Sequence, residues 1–156
     1  MDNIVVVRGG GDLATGVIHK LHRCNIKVVV LECKHPTAIR RTVSFCNAVF
    51  ENEMVVEGVK CRLASNIEEI YQILEDGDIP LIIDEKCEML SQIKPVALID
   101  AIIAKKNIGT NIDMAPITIA LGPGFEAGKD VHAVIETKRG HNLGRIIYDG
   151  FAAKNT

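Results

Sequence analysis

Tryptophan is absent from this chain of 156 residues, and aromatic side chains of any kind make up only 4% of it. Stacking platforms for nucleic acid bases are therefore not expected. The chain also has no large excess of charge of either sign, since its formal net charge is −2. Its net charge therefore does not favour nucleic acid or an anionic membrane as a partner. The length fits a single domain over residues 1–156, and a hydrophobic content of 47% allows a sizeable core.

The sequence also has no cysteine motif and no long apolar run. Its five cysteines contain no Cys-x-x-Cys pair and no zinc spacing, so they are expected to be mainly small core residues in a reducing compartment. Asp100 interrupts the longest apolar run, 96–104, which is too short to span a bilayer. The acidic N-terminus does not resemble a signal peptide. We therefore expect a cytoplasmic protein that binds neither membrane nor nucleic acid.

A strand, a glycine turn, a helix and a second strand follow one another within about 30 residues. The β-branched run 4–7 predicts a buried strand, which the glycines at 9–11 end. Apolar residues at 13, 14, 17, 18 and 21 then recur at helical spacing, and residues 26–31 predict a second buried strand closed by Glu32. This order predicts a Rossmann-type βαβ unit.

The rest of the chain predicts a mixed sheet. We expect short helices over 37–47 and 85–92, and a longer helix that Ser65 and Glu68 cap and Gly77 ends. Further strands are predicted over 54–56, 59–63, 81–83, 96–99 and 117–121, and segments 131–135 and 145–148 are expected to pair. The predicted class is α/β: a Rossmann-like three-layer fold with a mostly parallel sheet and a strand-rich, antiparallel C-terminal part.

The glycine turn carries the clearest chemical pattern. Residues 9–14 fit Gly-x-Gly-x-x-Gly/Ala, in which Gly9 permits the turn, Gly11 lets a diphosphate approach the backbone, and Ala14 allows close helix packing. The free amides at the helix start, from Gly10 through Asp12 and Leu13, attract phosphate. Glu32 lies 21 residues after Gly11, where an acid binds ribose hydroxyls and favours NAD or FAD over NADP.

The same residues also allow a reading without any ligand. The glycines then make only a tight turn, Glu32 is solvated, and Asp12 caps the helix rather than competing with phosphate. Arg40 and Arg41 follow the second strand and either bind a phosphate or form a solvated helix face.

A second polar cluster lies in the C-terminal half, where several segments are expected to gather beyond the carboxyl ends of strands. Its members are Asp100, Lys105, Asn107, Thr110, Asp113, Glu136, Arg139 and His141, with a further turn at Gly122-Pro123-Gly124. Ordinary loops explain these residues equally well. No His-x-x-x-His pattern predicts a metal site, and no Gly-x-Ser-x-Gly elbow predicts an α/β-hydrolase.

Four stretches of the chain resemble the YqeB-like selenium-dependent molybdenum hydroxylase accessory family, which is similar to the Rossmann-type XdhC and CoxI maturation factors. They are VVVRGGGDLATGVIHKLHRCNIKVVVLE at 5–32, RRTVSF at 40–45, LIDAIIAKKNIGT at 98–110 and LGPGFEAGKDVHAVIETKRGHNLGRIIYDG at 121–150. The resemblance implies a maturation factor that acts on a client molybdenum hydroxylase. Longer members continue past Thr156, so the chain is expected to match the N-terminal part of such a protein.

The resemblance implies that part of the second cluster lines a functional cleft. Lys105 and Arg139 are then candidates to hold phosphate or an oxyanion, and Glu136 and His141 to move protons. The expected ligand is an NAD- or FAD-type dinucleotide, with molybdenum cofactor as the alternative. The candidate cofactor-binding residues are Gly9, Gly10, Gly11, Asp12, Leu13, Ala14, Glu32, Arg40, Asn107, Thr110, Gly122, Gly124 and Arg139.

Two other functions remain open on the sequence. A small NAD-dependent oxidoreductase would need a proton donor, for which His141 is the best candidate. A nucleotide-sensing module without chemistry would only change its affinity for a partner when it binds nucleotide. A homodimer is compatible with any of these functions, because α/β domains often bury a sheet edge or helix pair against a second copy.

Overall fold

The structure, a computed structural model, describes residues 3–154. Its helices are α1 (Asp12–Arg23), α2 (Ala48–Glu51), α3 (Ile67–Glu75) and α4 (Leu90–Ile93). Its strands are β1 (Ile4–Arg8), β2 (Lys27–Glu32), β3 (Glu53–Val56), β4 (Val59–Ala64), β5 (Ile79–Ile83), β6 (Ala97–Asp100), β7 (Ile117–Leu121), β8 (Ala133–Ile135) and β9 (Ile146–Ile147). All of these strands join one sheet in the order β3-β4-β5-β2-β1-β6-β7-β8-β9.

The sheet is parallel from β4 through to β8 and antiparallel at its two ends. β3 pairs with β4 as a hairpin, and β8 pairs antiparallel with β9. The predicted mixed α/β sheet, mostly parallel with an antiparallel C-terminal pair, is therefore confirmed. Because the inner strands all run the same way, their carboxyl ends and the loops that follow them share one edge.

The core lies on both faces of the central strands. Parallel strands that are covered on both faces have apolar residues at nearly every position, and the central strands follow this pattern. Val5 and Val7 belong to one core cluster, which also includes Ala14 and Ile18 of α1. Ile4 and Val6 belong to a second cluster, which includes buried residues of α3 and α4. The β-branched run of β1 is buried throughout, as the sequence predicts.

Helix α1 starts directly after the glycine turn. Gly11 is its N-cap residue, with φ −68° and ψ −173°, and no side chain caps it by hydrogen bonding. The predicted apolar face is confirmed for Ala14 and Ile18, which are buried, but not for Leu13, which is 59% exposed. The next residue, Ala14, is already buried, so Leu13 lies on the side of the first turn that faces away from the core.

Both predicted short helices are largely wrong. Residues 37–47 contain only two 3₁₀ turns, Arg41–Val43 and Phe45–Asn47. The Phe45 amide donates to Oγ1 of Thr15 and the Cys46 amide to the Gly10 carbonyl, so tertiary bonds replace helical ones. In the segment 85–92 only α4 is helical, because the Asp84 carboxylate instead captures the amides of Glu88 and Met89.

The predicted cap of α3 is wrong by one residue. The N-cap is Asn66, whose Oδ1 accepts from the Glu69 amide at 2.9 Å, while Oε2 of Glu69 accepts from the Ser65 amide at 2.7 Å. Asn66 thus takes the capping role predicted for Ser65, and Glu69 replaces Glu68 as the acid that reaches back, although it binds the amide of Ser65 rather than that of the N-cap residue. The predicted end of the helix is confirmed, since Gly77 follows it with φ +83°.

Candidate functional site

A cleft opens at the carboxyl edge of the sheet. Its volume is about 400 Å³, and its walls come from the ends of β1, β2 and β5 and from the loop after β6. The polar side chains that line it are Arg8, Glu32, Cys33, Asp84, Glu85 and Lys86, and the large apolar ones are Leu31, Ile102 and Ile108. In open α/β sheets this edge is where ligands bind.

The three glycines of the turn beside the cleft differ in how much space each would leave for a side chain. A Cβ on Gly9 would lie 3.1 Å from the backbone of Ala101 and Ile102, and Gly9 has φ +99°. A Cβ on Gly10 would lie 3.1 Å from the amide nitrogen of Cys46. Tight packing therefore disfavours a side chain at both positions, whether or not a ligand binds. Gly11 is different, because a Cβ there would meet nothing within 4 Å.

Glu32 lies at the end of β2 and points at the glycine turn. Its Oε2 accepts from the Gly10 amide at 2.7 Å, and its Oε1 accepts from the Cys33 amide at 2.8 Å. The carboxylate is therefore not simply solvated. It lies where an acid that binds ribose is expected, and it takes one of the turn's amides for itself.

The first turn of α1 carries one carboxylate and one nearby cation. Oδ1 of Asp12 accepts from the Leu13 amide at 3.2 Å, and Oδ2 lies 3.6 Å from Nε of Arg40. The Arg40 side chain is 72% exposed, so this ion pair contributes little to stability. Its effect is local, because Arg40 partly offsets the negative charge that Asp12 places at the helix start. Arg41 instead stacks over the ring of Phe50 at 5.1 Å.

A buried hydrogen-bond chain runs from Arg8, which lines the cleft, to Asp100 at the end of β6. Nη1 of Arg8 donates to Oγ1 of Thr110 at 2.7 Å, and that hydroxyl donates to Oδ2 of Asp100 at 2.6 Å. Nη2 of Arg8 donates to the Glu85 carbonyl at 3.0 Å. All three side chains are buried. Two members of the predicted second cluster, Thr110 and Asp100, are therefore in contact here, and Arg8 binds to them.

The neighbouring loop residues keep the backbone in place. Oδ1 of Asn107 accepts from the amides of Gly109 and Thr110, so Asn107 folds the loop rather than facing the cleft. Gly124 packs against the chain at Lys106, since a Cβ there would lie 2.6 Å from the Cα of Lys106. Gly122 approaches the Thr137 side chain in the same way. Lys105 is exposed and does not line the cleft.

The remaining candidates lie away from the cleft. The Glu136 carboxylate is buried and accepts from the amides of Thr137, Lys138 and Ala153. Arg139 and His141 are exposed in the loop before β9. Asp113 belongs to the 3₁₀ turn Ile112–Met114, where its amide donates to Oδ1 of Asn111.

The acidic groups of the cleft are already held by backbone amides. Asp84 accepts from Glu88 and Met89, and Oε1 of Glu85 accepts from the Lys34 amide at 3.1 Å. Burial, followed by the Glu32 charge, raises the pKa of the Cys33 thiol, so Cys33 is protonated at neutral pH. The cleft is therefore suited to binding rather than to attack by a thiolate.

Sequence reasoning did not identify five polar residues of the cleft: Arg8, Cys33, Asp84, Glu85 and Lys86. Each of them ends a strand or lies within three residues after one. Polar residues at the ends of predicted parallel strands were thus the available signal, but the strand order was needed to bring them together.

No helix within residues 3–154 combines the length and hydropathy needed to cross a bilayer. Over the same residues, His, Cys, Asp and Glu side chains form no group of three or more that is placed to hold a metal ion.

The fold and the site together define an α/β protein with a ligand-sized cleft at the carboxyl edge of a mostly parallel sheet. The chain is 55% identical over 153 residues to the uncharacterized protein YqeB of Escherichia coli (strain K12). This match covers 98% of the chain but only 28% of that relative's length. It supports a YqeB-like family for the chain and identifies no activity. No family model and no solved structure gives a significant match.

Proposed function

We propose that the chain is a Rossmann-type domain that binds a dinucleotide of the NAD or FAD kind. The diphosphate lies at Gly11 and the first turn of α1, and the nucleoside lies in the cleft beside Glu32. The observation that carries this proposal is the open space at Gly11, the N-cap residue of α1, which has no side chain to cap the helix. Glu32 already holds the Gly10 amide and Asp12 the Leu13 amide, so the diphosphate is proposed to lie at the amides of Gly11 and Asp12. Amides at such a helix start point at bound anions and attract them.

The order of the strands supports the same site. With the hairpin β3-β4 and the last strand β9 left out, strands β5-β2-β1-β6-β7-β8 follow the order 3-2-1-4-5-6 that is typical of dinucleotide-binding sheets. In that order the ligand crevice forms where the connections change direction, which is between β1 and β6 in this chain. The separate core clusters that include α1 and α3 support the three-layer arrangement.

The residues present fit a dinucleotide. Gly9 and Gly10 are explained by packing, whereas Gly11 has no packing reason to lack a side chain and leaves open space that a larger residue would occupy. An ionised carboxylate has about four acceptor sites, so Glu32 can accept from ribose hydroxyls while it holds two amides. When bound, such a cofactor supplies hydride or electron transfer. The phosphate of molybdenum cofactor could use the same amides and is the alternative ligand.

A binding role is favoured over a small NAD-dependent oxidoreductase. The candidate proton donors Glu136 and His141, and the candidate cation Lys105, are not among the described residues that line the cleft. The Glu136 carboxylate is also committed to three backbone amides. We therefore propose an accessory role, in which the domain presents or senses its ligand for a client molybdenum hydroxylase. The resemblance of the sequence supports the choice of client.

Calorimetry of the purified protein with NAD, NADP, FAD and molybdenum cofactor tests the binding proposal. We expect NAD or FAD to bind more tightly than NADP, because Glu32 repels a 2′-phosphate. The variant Gly11→Val should abolish binding. The matched control is Gly16→Val, since Gly16 also has open space around its Cβ but lies one turn further along α1. Binding of none of these ligands, or equal binding to both variants, would refute the proposal.

The accessory role needs its own measurement. Purified molybdenum hydroxylase lacking its cofactor should bind the protein, and its affinity should change when NAD is added. If the two proteins do not associate with or without NAD, the accessory role is lost even if NAD binds.

A further inference from the structure

Arg8 connects the two walls of the cleft. One side-chain nitrogen donates to Oγ1 of Thr110, in the loop after β6, and the other donates to the Glu85 carbonyl, in the loop after β5. These two loops also supply Ile108 on one side of the cleft and Lys86 on the other. A single guanidinium group therefore bridges the two loops directly.

The burial of the charged Arg8 side chain at this position requires a physical explanation. Arg8 is only 6% exposed, and burying a charge is costly unless it is hydrogen-bonded and balanced. Both of its partner atoms are neutral oxygens, and Asp100 balances the charge only through the hydroxyl of Thr110. An apolar residue at the end of β1 would pack against the same strands without this expense. What it would not do is hold two separate loops at a fixed spacing.

We propose that Arg8 is a positioning residue that fixes the width of the cleft, so that the site selects ligands carrying a nucleoside. The planar fork of a guanidinium can donate along two fixed directions at once, which a lysine ammonium cannot reproduce. Asp100 fixes the Thr110 hydroxyl in turn, and its other oxygen accepts from the Ile102 amide at 3.1 Å. We call Arg8 with its bonds to Thr110 and Glu85 the clamp. The clamp itself is argued from these contacts, while its role in ligand selection rests on the proposed function.

Hydrogen exchange of the unliganded protein tests the clamp without any ligand. In Arg8→Lys we expect exchange about tenfold faster in both segments 84–89 and 104–111. In Thr110→Val only segment 104–111 should respond, and Thr110→Ser should restore it, because serine keeps the hydroxyl. The hairpin 53–64 is the internal control and should exchange as in the wild type. Unchanged exchange in both loops of Arg8→Lys, or faster exchange throughout the protein, would overturn the clamp.

Calorimetry with two probes tests the selection of ligands. NAD carries nucleosides, whereas inorganic pyrophosphate needs only the glycine turn. Arg8→Lys should weaken NAD binding about tenfold and leave pyrophosphate binding unchanged. Equal loss for both probes would show a general structural role and overturn the selection.

The two proposals can fail separately. If the wild-type protein binds neither probe, the proposed function fails, and hydrogen exchange alone decides whether Arg8 is a clamp. If it binds NAD but not pyrophosphate, unchanged NAD affinity in Arg8→Lys overturns the selection.

Discussion

The carboxylate of Glu32 accepts a hydrogen bond from the main-chain amide of Gly10 at 2.7 Å, which ties the end of β2 to the turn that follows β1. A second bond, from the Cys33 amide, fixes the other oxygen. The bonds hold the carboxylate beside the open position at Gly11. The same contact thus stabilises the turn and orients the group that is proposed to bind ribose.

Replacing this carboxylate should lower stability. In Glu32→Gln one oxygen becomes an amide nitrogen that cannot accept, so we expect the free energy of unfolding to fall by about 1.5 kcal/mol. Urea denaturation measures this change. The control is Glu51→Gln, on an exposed residue of α2, where a change below about 0.5 kcal/mol is expected. Equal stability of the two variants would show that the Gly10 contact contributes nothing.

Gly124 should tolerate no side chain. It has φ +105°, and a Cβ would lie 2.6 Å from the backbone of Lys106, so Gly124→Ala adds an overlap to backbone strain. We expect a loss of about 3 kcal/mol or more by urea denaturation. Gly140→Ala separates the two effects, because Gly140 has φ +137° but open space, and should lose only about 1 kcal/mol. Similar losses in both variants would contradict the close approach at Lys106.

Glu136 is expected to be structural rather than catalytic. Its buried carboxylate holds the amides of Thr137 and Lys138 and, across a longer stretch of chain, that of Ala153. Glu136→Gln should cost about 2 kcal/mol and raise hydrogen exchange at Ala153. The exposed Glu75→Gln in α3 is the comparison. Unchanged exchange at Ala153 would remove the structural role and restore Glu136 as a candidate acid or base.

The thiols should react in order of exposure. All five cysteines are free, and Cys24 is exposed, whereas burial raises the pKa of Cys46 to about 11 and that of Cys61 still further. Because the thiolate is the reactive form, iodoacetamide at pH 8 should modify Cys24 first and leave Cys61 intact in the folded protein. Mass spectrometry of digested samples gives the order. Early labelling of Cys61 would contradict its burial.

Stability should decrease at alkaline pH for the same reason. An unfolded thiol loses its proton near pH 9.0, whereas burial, the largest cause, holds Cys46 protonated to about pH 11 in the folded protein. The unfolded state thus releases protons first, so stability that is fully present below pH 9.0 is lost as the pH rises towards 11. Thermal unfolding across this range should show a falling Tm. The variant Cys46→Ala should lose part of this slope, and an unchanged slope would contradict the shift.

Local patterns predicted much of the framework. The β-branched runs of β1 and β2, the helical spacing of α1 and the position of Gly77 were all recognisable, because burial on both faces and helix termination leave short-range signals. The capping pattern was recognised but placed one residue early. The helices expected over 37–47 and 85–92 failed because the amides at Cys46 and Met89 bond to partners outside their own segments.

The sequence by itself determined the βαβ unit, the glycine turn and the presence of an acid at position 32, since each depends on residues within about 30 positions of one another. Only the tertiary structure decided that Gly11, alone among the three glycines of the turn, faces open space, that Glu32 already holds Gly10, and that Arg8 reaches Thr110. The physical reason is the order of the strands. β1 lies between β2 and β6, so residues about 100 positions apart meet at one edge of the sheet, and no local pattern encodes that meeting.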